Sequence, residues 1–207
     1  TKIEIAMKLL LSLRSFLKIA EPFLRRKLII PSIAFDCAYL SPRIARFSRR
    51  IFPKVQVISQ IASSQIVWSG TGKQKRVDEF FKNITPVEKE ISIRGQKKKI
   101  KFVSARLTVK SHGRKLHIVA LKYDDECEYR YLAATELTWR SEDIIRAYAL
   151  RWLIEVVNFD WKQHDGWGRN AFQQGADGAC RGVILSLLVD SFLLTHPAQL
   201  RQSRAGL

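Results

Sequence analysis

Four residues near the C-terminal third of the chain have types and spacings that suit chemistry: Tyr148, Arg151, Glu155 and Lys162. On an α-helix, at about 100° per residue, they fall within a sector of about 60°. A carboxylate in such a row can hold a hard divalent cation. An arginine fork and a lysine point charge beside it suit phosphate oxygens. The ordinary alternative is a solvated face with an Arg151–Glu155 pair one helical turn apart. The other side of the helix weighs against that. Phe159, Trp152, Val156, Leu153, Val157, Leu150, Trp161 and Ile154 occupy the remaining arc, with Asp160 as the exception. The pattern predicts a helix buried nearly all round with one narrow polar seam. A buried seam of charge is costly unless it meets counter-charges, a metal or a cleft.

The elements that must position this seam are legible by pattern. Apolar residues at mixed three and four spacing from Ile3 to Ala20 predict a first helix that Pro22 breaks or restarts. Leu28-Ile29-Ile30 runs into Pro31, which a central strand does not tolerate, so the strand falls at Ser32–Phe35 and ends on Asp36. Ser41-Pro42 reads as N-cap and first helical position of a short basic helix through Arg50. Val55 to Ile58 reads as a second strand. Helix, strand, helix, strand is an α/β order with parallel pairing.

After about Ser63 the texture changes to short strands. Lys99–Lys110 and Lys115–Tyr123 flank Ser111-His112-Gly113-Arg114, a hairpin signal, and Tyr129–Thr135 follows as a further strand. The expected organisation is therefore a core over 1–62, a β-rich insertion over 63–138, and C-terminal helices over 139–207. Ser141-Glu142-Asp143 opens the helix that carries the seam, expected to run to about Gln163. A last helix is expected from Ala176 to Thr195, before Pro197.

Composition narrows the partner. The chain has 207 residues, 36 Lys+Arg against 19 Asp+Glu, and a net charge of +17. With 46% apolar residues it can bury a core, which excludes wholesale disorder. Cys37, Cys127 and Cys180 are far apart, which excludes a disulfide scaffold or a zinc ribbon and fits a reducing compartment. The longest apolar stretch, Gly182 to Thr195, is interrupted by Asp190 and too short to span a bilayer. A polyanion is the expected partner, either nucleic acid or an anionic membrane surface.

Tyr148-x2-Arg151-x3-Glu155-x6-Lys162 resembles the Y-R-E-K signature of the DDE transposases of bacterial insertion sequences, and Arg151-Trp152-Leu153-Ile154-Glu155 is similar to its R-W-x-I-E core. Phe35-Asp36-Cys37-Ala38-Tyr39 resembles the strand end that carries that family's second catalytic aspartate. Tyr131-Leu132-Ala133-Ala134-Thr135 fits the lead-in to the signature helix. The likeness spans roughly residues 29 to 195. It implies a ribonuclease H-like core interrupted by a β-rich insertion between the second aspartate and the glutamate. It implies a nuclease and strand transferase that hydrolyses phosphodiesters at transposon ends with two Mg²⁺ (or Mn²⁺) ions. Asp36 and Glu155 are then the catalytic and metal-holding carboxylates, while Tyr148, Arg151 and Lys162 hold end DNA. The implied partners are transposon-end and target DNA, with a homodimer on the DNA and no membrane, in a bacterial cytoplasm near the nucleoid.

One departure from the family stands out. Before Asp36 the only acids are Glu4 and Glu21, and neither follows a strand pattern, so the first aspartate is missing. The expectation is a C-terminal portion of a longer transposase, with a core incomplete at its N-terminus and inactive alone. Another assignment makes Asp36 the first aspartate and Asp124 or Asp125 the second, after the strand Leu116–Leu121. The other functional classes to weigh are a non-catalytic basic DNA-binding module and an inactive transposase remnant.

Between Arg94 and Lys115 lie nine basic residues and no acid, and Lys97, Lys98, Lys99 and Lys101 are candidate phosphate contacts. The alternative is a solvated hairpin whose lysines protect a sheet edge. Trp68 and Trp139 are candidates for stacking on an extruded base or, more simply, core residues. His164 follows Lys162 past the helix end. His112, His117 and His196 lack ligand spacing, and Gly70-Thr71-Gly72-Lys73 lacks the rest of a phosphate-loop pattern and is a turn.

Overall fold

In a computed structural model the described residues are 1–24, 29–37, 39–70, 72–156 and 159. They divide into two compact units, Thr1–Arg151 and Trp152–Leu207. The expected helix from Ala176 to Thr195, Lys162 and His164 lie outside the described residues.

The first unit is mixed α/β, with an open and mostly antiparallel sheet. Its elements in chain order are α1 (Lys2–Leu24), β1 (Ser32–Phe35), α2 (Pro42–Ile51), β2 (Gln56–Ile61), β3 (Ile66–Trp68), β4 (Lys75–Arg76) and α3 (Val77–Phe81). They continue with β5 (Val87–Ile93), β6 (Gln96–Val109), β7 (Arg114–Tyr123), β8 (Arg130–Ala134) and α4 (Ser141–Ala149). The strands form one sheet in the order β1-β2-β8-β7-β6-β3-β4, with β5 pairing the first half of β6. Among the described residues the β1–β2 pairing is the one parallel pairing of neighbours, as the sequence order predicts. The strands from 63–138 are thus continuous with β2, through its antiparallel pairing with β8.

Period-two patterning gives each strand two faces. Val119, Leu121, Leu132 and Ala134 lie in one apolar cluster with Ile58, Ile91, Ile100 and the α4 residues Ile144 and Ile145. Their neighbours Ile118, Ala120, Tyr131 and Ala133 lie in the other, with Val67, Val77, Phe81 and Leu107. A sheet buried on both faces reads as continuous apolar runs, which is why β7 and β8 stand out in the sequence.

Local signals held where the backbone carries its own instruction. Ser41 caps α2, its Oγ accepting from the Ile44 N–H at 3.3 Å, and Pro42 opens the helix. The β6–β7 hairpin turns through a 3₁₀ segment, Lys110–His112, and Gly113 at φ 59°. The β5–β6 hairpin, which pattern reading missed, turns on Arg94-Gly95, both at positive φ, as the tight hairpin turns matched to strand twist require.

Three expectations differ. α1 runs through Pro22 to Leu24, because a proline so close to the helix end removes a hydrogen bond from the last turn only. Ser141 is the first residue of α4, not its cap; its Oγ donates to Ser104 Oγ at 2.9 Å. The signature helix tightens to 3₁₀ at Leu150–Trp152 before turning α-helical again at 153–156, so α4 does not run unbroken to Gln163. Nor is it buried all round: Leu150 is 52% exposed, and Trp152, Leu153, Ile154 and Phe159 are exposed too. Periodicity counts apolar residues but cannot tell whether a surface lies opposite them.

One buried polar network ties β2 to the chain after β8. Gln56 is fully buried; its Oε1 accepts from Thr135 Oγ1 (3.0 Å) and the Glu136 N–H (2.7 Å), and its Nε2 donates to the Glu136 carbonyl (3.1 Å). Thr135 Oγ1 in turn accepts from the Val57 N–H at 3.1 Å. Gln56→Leu would strand these groups without partners, each lost partner costing roughly 1–3 kcal/mol. Urea unfolding should show a lower midpoint at unchanged slope; an unchanged midpoint would mean the network is open to water.

Candidate functional site

The candidate site is built at the C-terminal ends of β1 and β2. Parallel pairing sets Phe35 opposite Ser59, so continuing the register one step sets Asp36 level with Gln60. Ser59 Oγ donates to the Asp36 carbonyl at 3.0 Å, and the Tyr39 N–H donates to the same carbonyl at 3.0 Å, closing a turn at the strand end. The Asp36 carboxylate takes the Cys37 N–H on Oδ1 at 2.8 Å, leaving Oδ2 outside that bond. Asp36 is exposed.

α4 brings the other side chains. Ile144 and Ile145 anchor it in the core under β2, and Tyr148 packs half-buried against the same cluster. The Tyr148 hydroxyl donates to Gln60 Oε1 at 3.5 Å. The Arg151 guanidinium carbon lies 5.9 Å from the centre of the Tyr148 ring, within cation–π range. Burial pushes the Tyr148 phenol above the ordinary tyrosine value; Arg151 opposes the shift, and the Asp36 charge adds to it. Asp36, Gln60, Tyr148 and Arg151 therefore share one neighbourhood. Gln60 is the member that sequence reading missed; a polar residue on the core-facing side of a buried strand was the available signal.

Glu155 is exposed and belongs to the second unit, beginning at Trp152. Among the described residues no three His, Cys, Asp or Glu side chains cluster so as to hold a metal ion. Asp36 and Asp124 are not brought together. β1 and β7 run parallel but are separated by β2 and β8. Three strand spacings put them about 14 Å apart laterally. The row that continues from Asp36 through Gln60 and Leu132 meets β7 at Val119, five residues before Asp124, which lies just past the end of β7.

The lysine stripe of β6 is charged on both sides of its ladder. Lys101 pairs opposite Glu88 and Lys99 opposite Glu90, so one face alternates in sign across the two strands. Lys99 and Lys101 (3.6 Å) make ion pairs with Glu88, and Lys97 with Glu90 at 3.9 Å. Glu88 holds Lys99 above its usual value, and Lys99 holds Glu88 below its own. Lys98 points to the other face, 5.7 Å from the centre of the Tyr123 ring.

Other singled-out residues have structural places. Trp139 packs partly buried against the first core cluster, and Trp68 is on β3. His117 is 5% exposed, with burial lowering its pKa. Cys37 and Cys127 are exposed free thiols. A cavity of about 450 Å³, lined by Phe81, Val103, Tyr129, Tyr131, Asp78 and Glu79, shares no residue with the Asp36 group. No described helix is long and apolar enough to cross a membrane. No family model matches the chain, and no curated protein compared with it matches.

The site carries its own pH signature. A phenol that folding keeps neutral stabilises the fold fully below its ordinary value of about 10, and that contribution is lost as pH rises through the raised folded value. Tyr123 and Tyr131 are shifted the same way by burial. Urea midpoints should fall as pH rises above about 10, and by less in Tyr148→Phe. An equal fall in that variant would place Tyr148 in solvent.

Proposed function

We propose that the chain is a portion of a metal-dependent DNA transposase with a ribonuclease H-like core, in which Asp36 and Glu155 serve as carboxylates and Tyr148, Arg151 and Lys162 hold DNA. The observation that carries the reading is the grouping of Tyr148 and Arg151 beside Asp36, since these lie 112 and 115 positions away in the sequence yet share the end of β1. The signature spacing supplies the roles. Arg151 lies over the ring of a phenol, and its planar guanidinium fork matches a phosphate through two parallel hydrogen bonds. The Tyr148 hydroxyl, facing Gln60, fixes the ring on which that guanidinium rests.

Asp36 fits a hard cation in chemistry, having an exposed carboxylate with Oδ2 free of the Cys37 bond. Mg²⁺ or Mn²⁺ at Asp36 would supply the charge that polarises a phosphodiester and lowers the pKa of an attacking water, and Glu155 is the second carboxylate that the signature assigns. Before Asp36, Glu4 and Glu21 both lie on α1 and neither ends a strand, whereas the family's reaction uses a further strand-end aspartate there. On this reading the chain alone binds DNA and cation without cutting. A non-catalytic DNA-binding module is the second reading, favoured by the absence of a three-residue metal cluster among the described residues.

Fluorescence anisotropy with a labelled duplex tests the reading. Arg151→Ala should weaken binding about tenfold, the equivalent of about 1.4 kcal/mol. In the same protein, Asp36→Asn should abolish Mn²⁺ binding measured by water-proton relaxation while leaving DNA affinity in EDTA intact. DNA affinity unaltered by Arg151→Ala would overturn the placement of DNA here, and Mn²⁺ binding unaltered by Asp36→Asn would favour the module.

A further inference from the structure

We infer that the outer face of α2 is a track for the phosphate backbone of duplex DNA, carried by Arg43, Arg46 and Arg50. The inference rests on the reading that the chain binds DNA, and it names a surface which that reading does not.

α2 divides cleanly. Ile44, Ala45, Ser48 and Ile51 are buried, and Arg43, Arg46 and Arg50 are exposed on the opposite side. At about 100° per residue these three arginines lie within a sector of about 60°, and at 1.5 Å per residue they span about 10 Å of helix axis. α2 contains no acid. Among the described residues none of the three arginines is in an ion pair, whereas Arg49, at the edge of the same face, lies 3.1 Å from Glu136. Arg46 Nε donates to the Pro42 carbonyl at 3.3 Å, and the residue is exposed. Glu4 on α1 feels Arg43, but its carboxyl is held below its usual range chiefly by the N-terminal ammonium and least by Arg43.

The contrast with β6 gives the inference its content. The lysine-rich hairpin is the most basic stretch of the sequence, yet Lys97, Lys99 and Lys101 share their face with Glu88 and Glu90. A polyanion docking there must displace those carboxylates or lie beside them. Arg43, Arg46 and Arg50 make no ion pair among the described residues, so a polyanion docking on them displaces no paired carboxylate. Guanidinium groups also match phosphate oxygens as forks, where ammonium groups act as points.

The position suits the same substrate. α2 begins six residues after Asp36, so the first turn of the arginine face is tied by a short connection to the strand end that holds Asp36. An anionic bilayer is the other polyanion a basic helix can meet. Interfacial helices bind bilayers by inserting their apolar face, and that face of α2 is spent on the protein core. A third account gives Arg49 and Arg50 to the negative end of the helix, but it leaves Arg43, in the first turn, unexplained.

The test compares two variants with the same change in charge: Arg43→Gln/Arg46→Gln/Arg50→Gln and Lys97→Gln/Lys99→Gln/Lys101→Gln. Each is titrated with a random-sequence duplex over a range of NaCl, with thermal melting to verify folding. Each phosphate contact contributes about 0.9 to the slope of log affinity against log salt. The α2 variant should therefore lose about 2 to 3 from the slope and bind at least tenfold more weakly at low salt; the β6 variant should lose less than about 1. Equal losses in both would show that only total charge matters, and an unchanged α2 variant would remove α2 from the interface; either result overturns the inference while DNA binding stands. Failure of the unaltered chain to bind duplex, with binding to phosphatidylserine vesicles instead, would overturn the inference together with the reading it rests on.

Discussion

The pairing of β2 with two unlike neighbours is the constraint on which the rest of the first unit depends. On one side β2 runs parallel to β1, and on the other it runs antiparallel to β8. The first pairing fixes where the chain turns at Asp36. The second joins the long β6–β7 hairpin to the same sheet and delivers the chain to the start of α4. Gln56 locks the junction from inside, since it bonds Thr135 and Glu136 from the first residue of β2. A slip of one residue in this register would turn Ile58 away from Ile144 and carry Gln60 away from Tyr148.

The fold was legible where a residue type admits few conformations or where burial repeats at a fixed period. The strand Ser32–Phe35 was bounded by Pro31 and Asp36, and α2 by the Ser41-Pro42 pair, and both fall where read. β7 and β8 were visible as apolar runs. What the sequence hid was tertiary. The Val87–Ile93 strand is mostly exposed, with only Ile91 and Ile93 buried, so its alternation was too short to register. The helix after Ala149 carries apolar residues on most of its surface, yet those at 150 and 152–154 are exposed, because a pattern records composition and not the opposing surface.

For the candidate site the same division holds. Asp36 could be placed at a strand end from sequence, and Tyr148 with Arg151 on a helix, because each depends on local order. Their mutual proximity depends on α4 crossing over β1 and β2, a long-range fact. Gln60, their neighbour, carries no local mark of its role. The electrostatic reading changed more. A run of lysines was a candidate phosphate contact, but cross-strand glutamates share its face, while α2, shorter and less conspicuous, holds three arginines that make no ion pair among the described residues. Charge counted along a chain is a poor guide to charge available at a surface, because strand pairing brings together residues distant in sequence, such as Glu88 and Lys101.

The central claim is that duplex DNA lies beside Asp36, and the neighbouring exposed thiol of Cys37 allows it to be tested in place. An iron–EDTA group attached to Cys37, in a chain whose other cysteines are serine, cleaves whatever nucleic acid lies near it. The account predicts cleavage of a bound duplex confined to a few consecutive nucleotides, and much weaker or no cleavage when the same group is carried by Cys127 alone. Cleavage from Cys127 with none from Cys37 would contradict it.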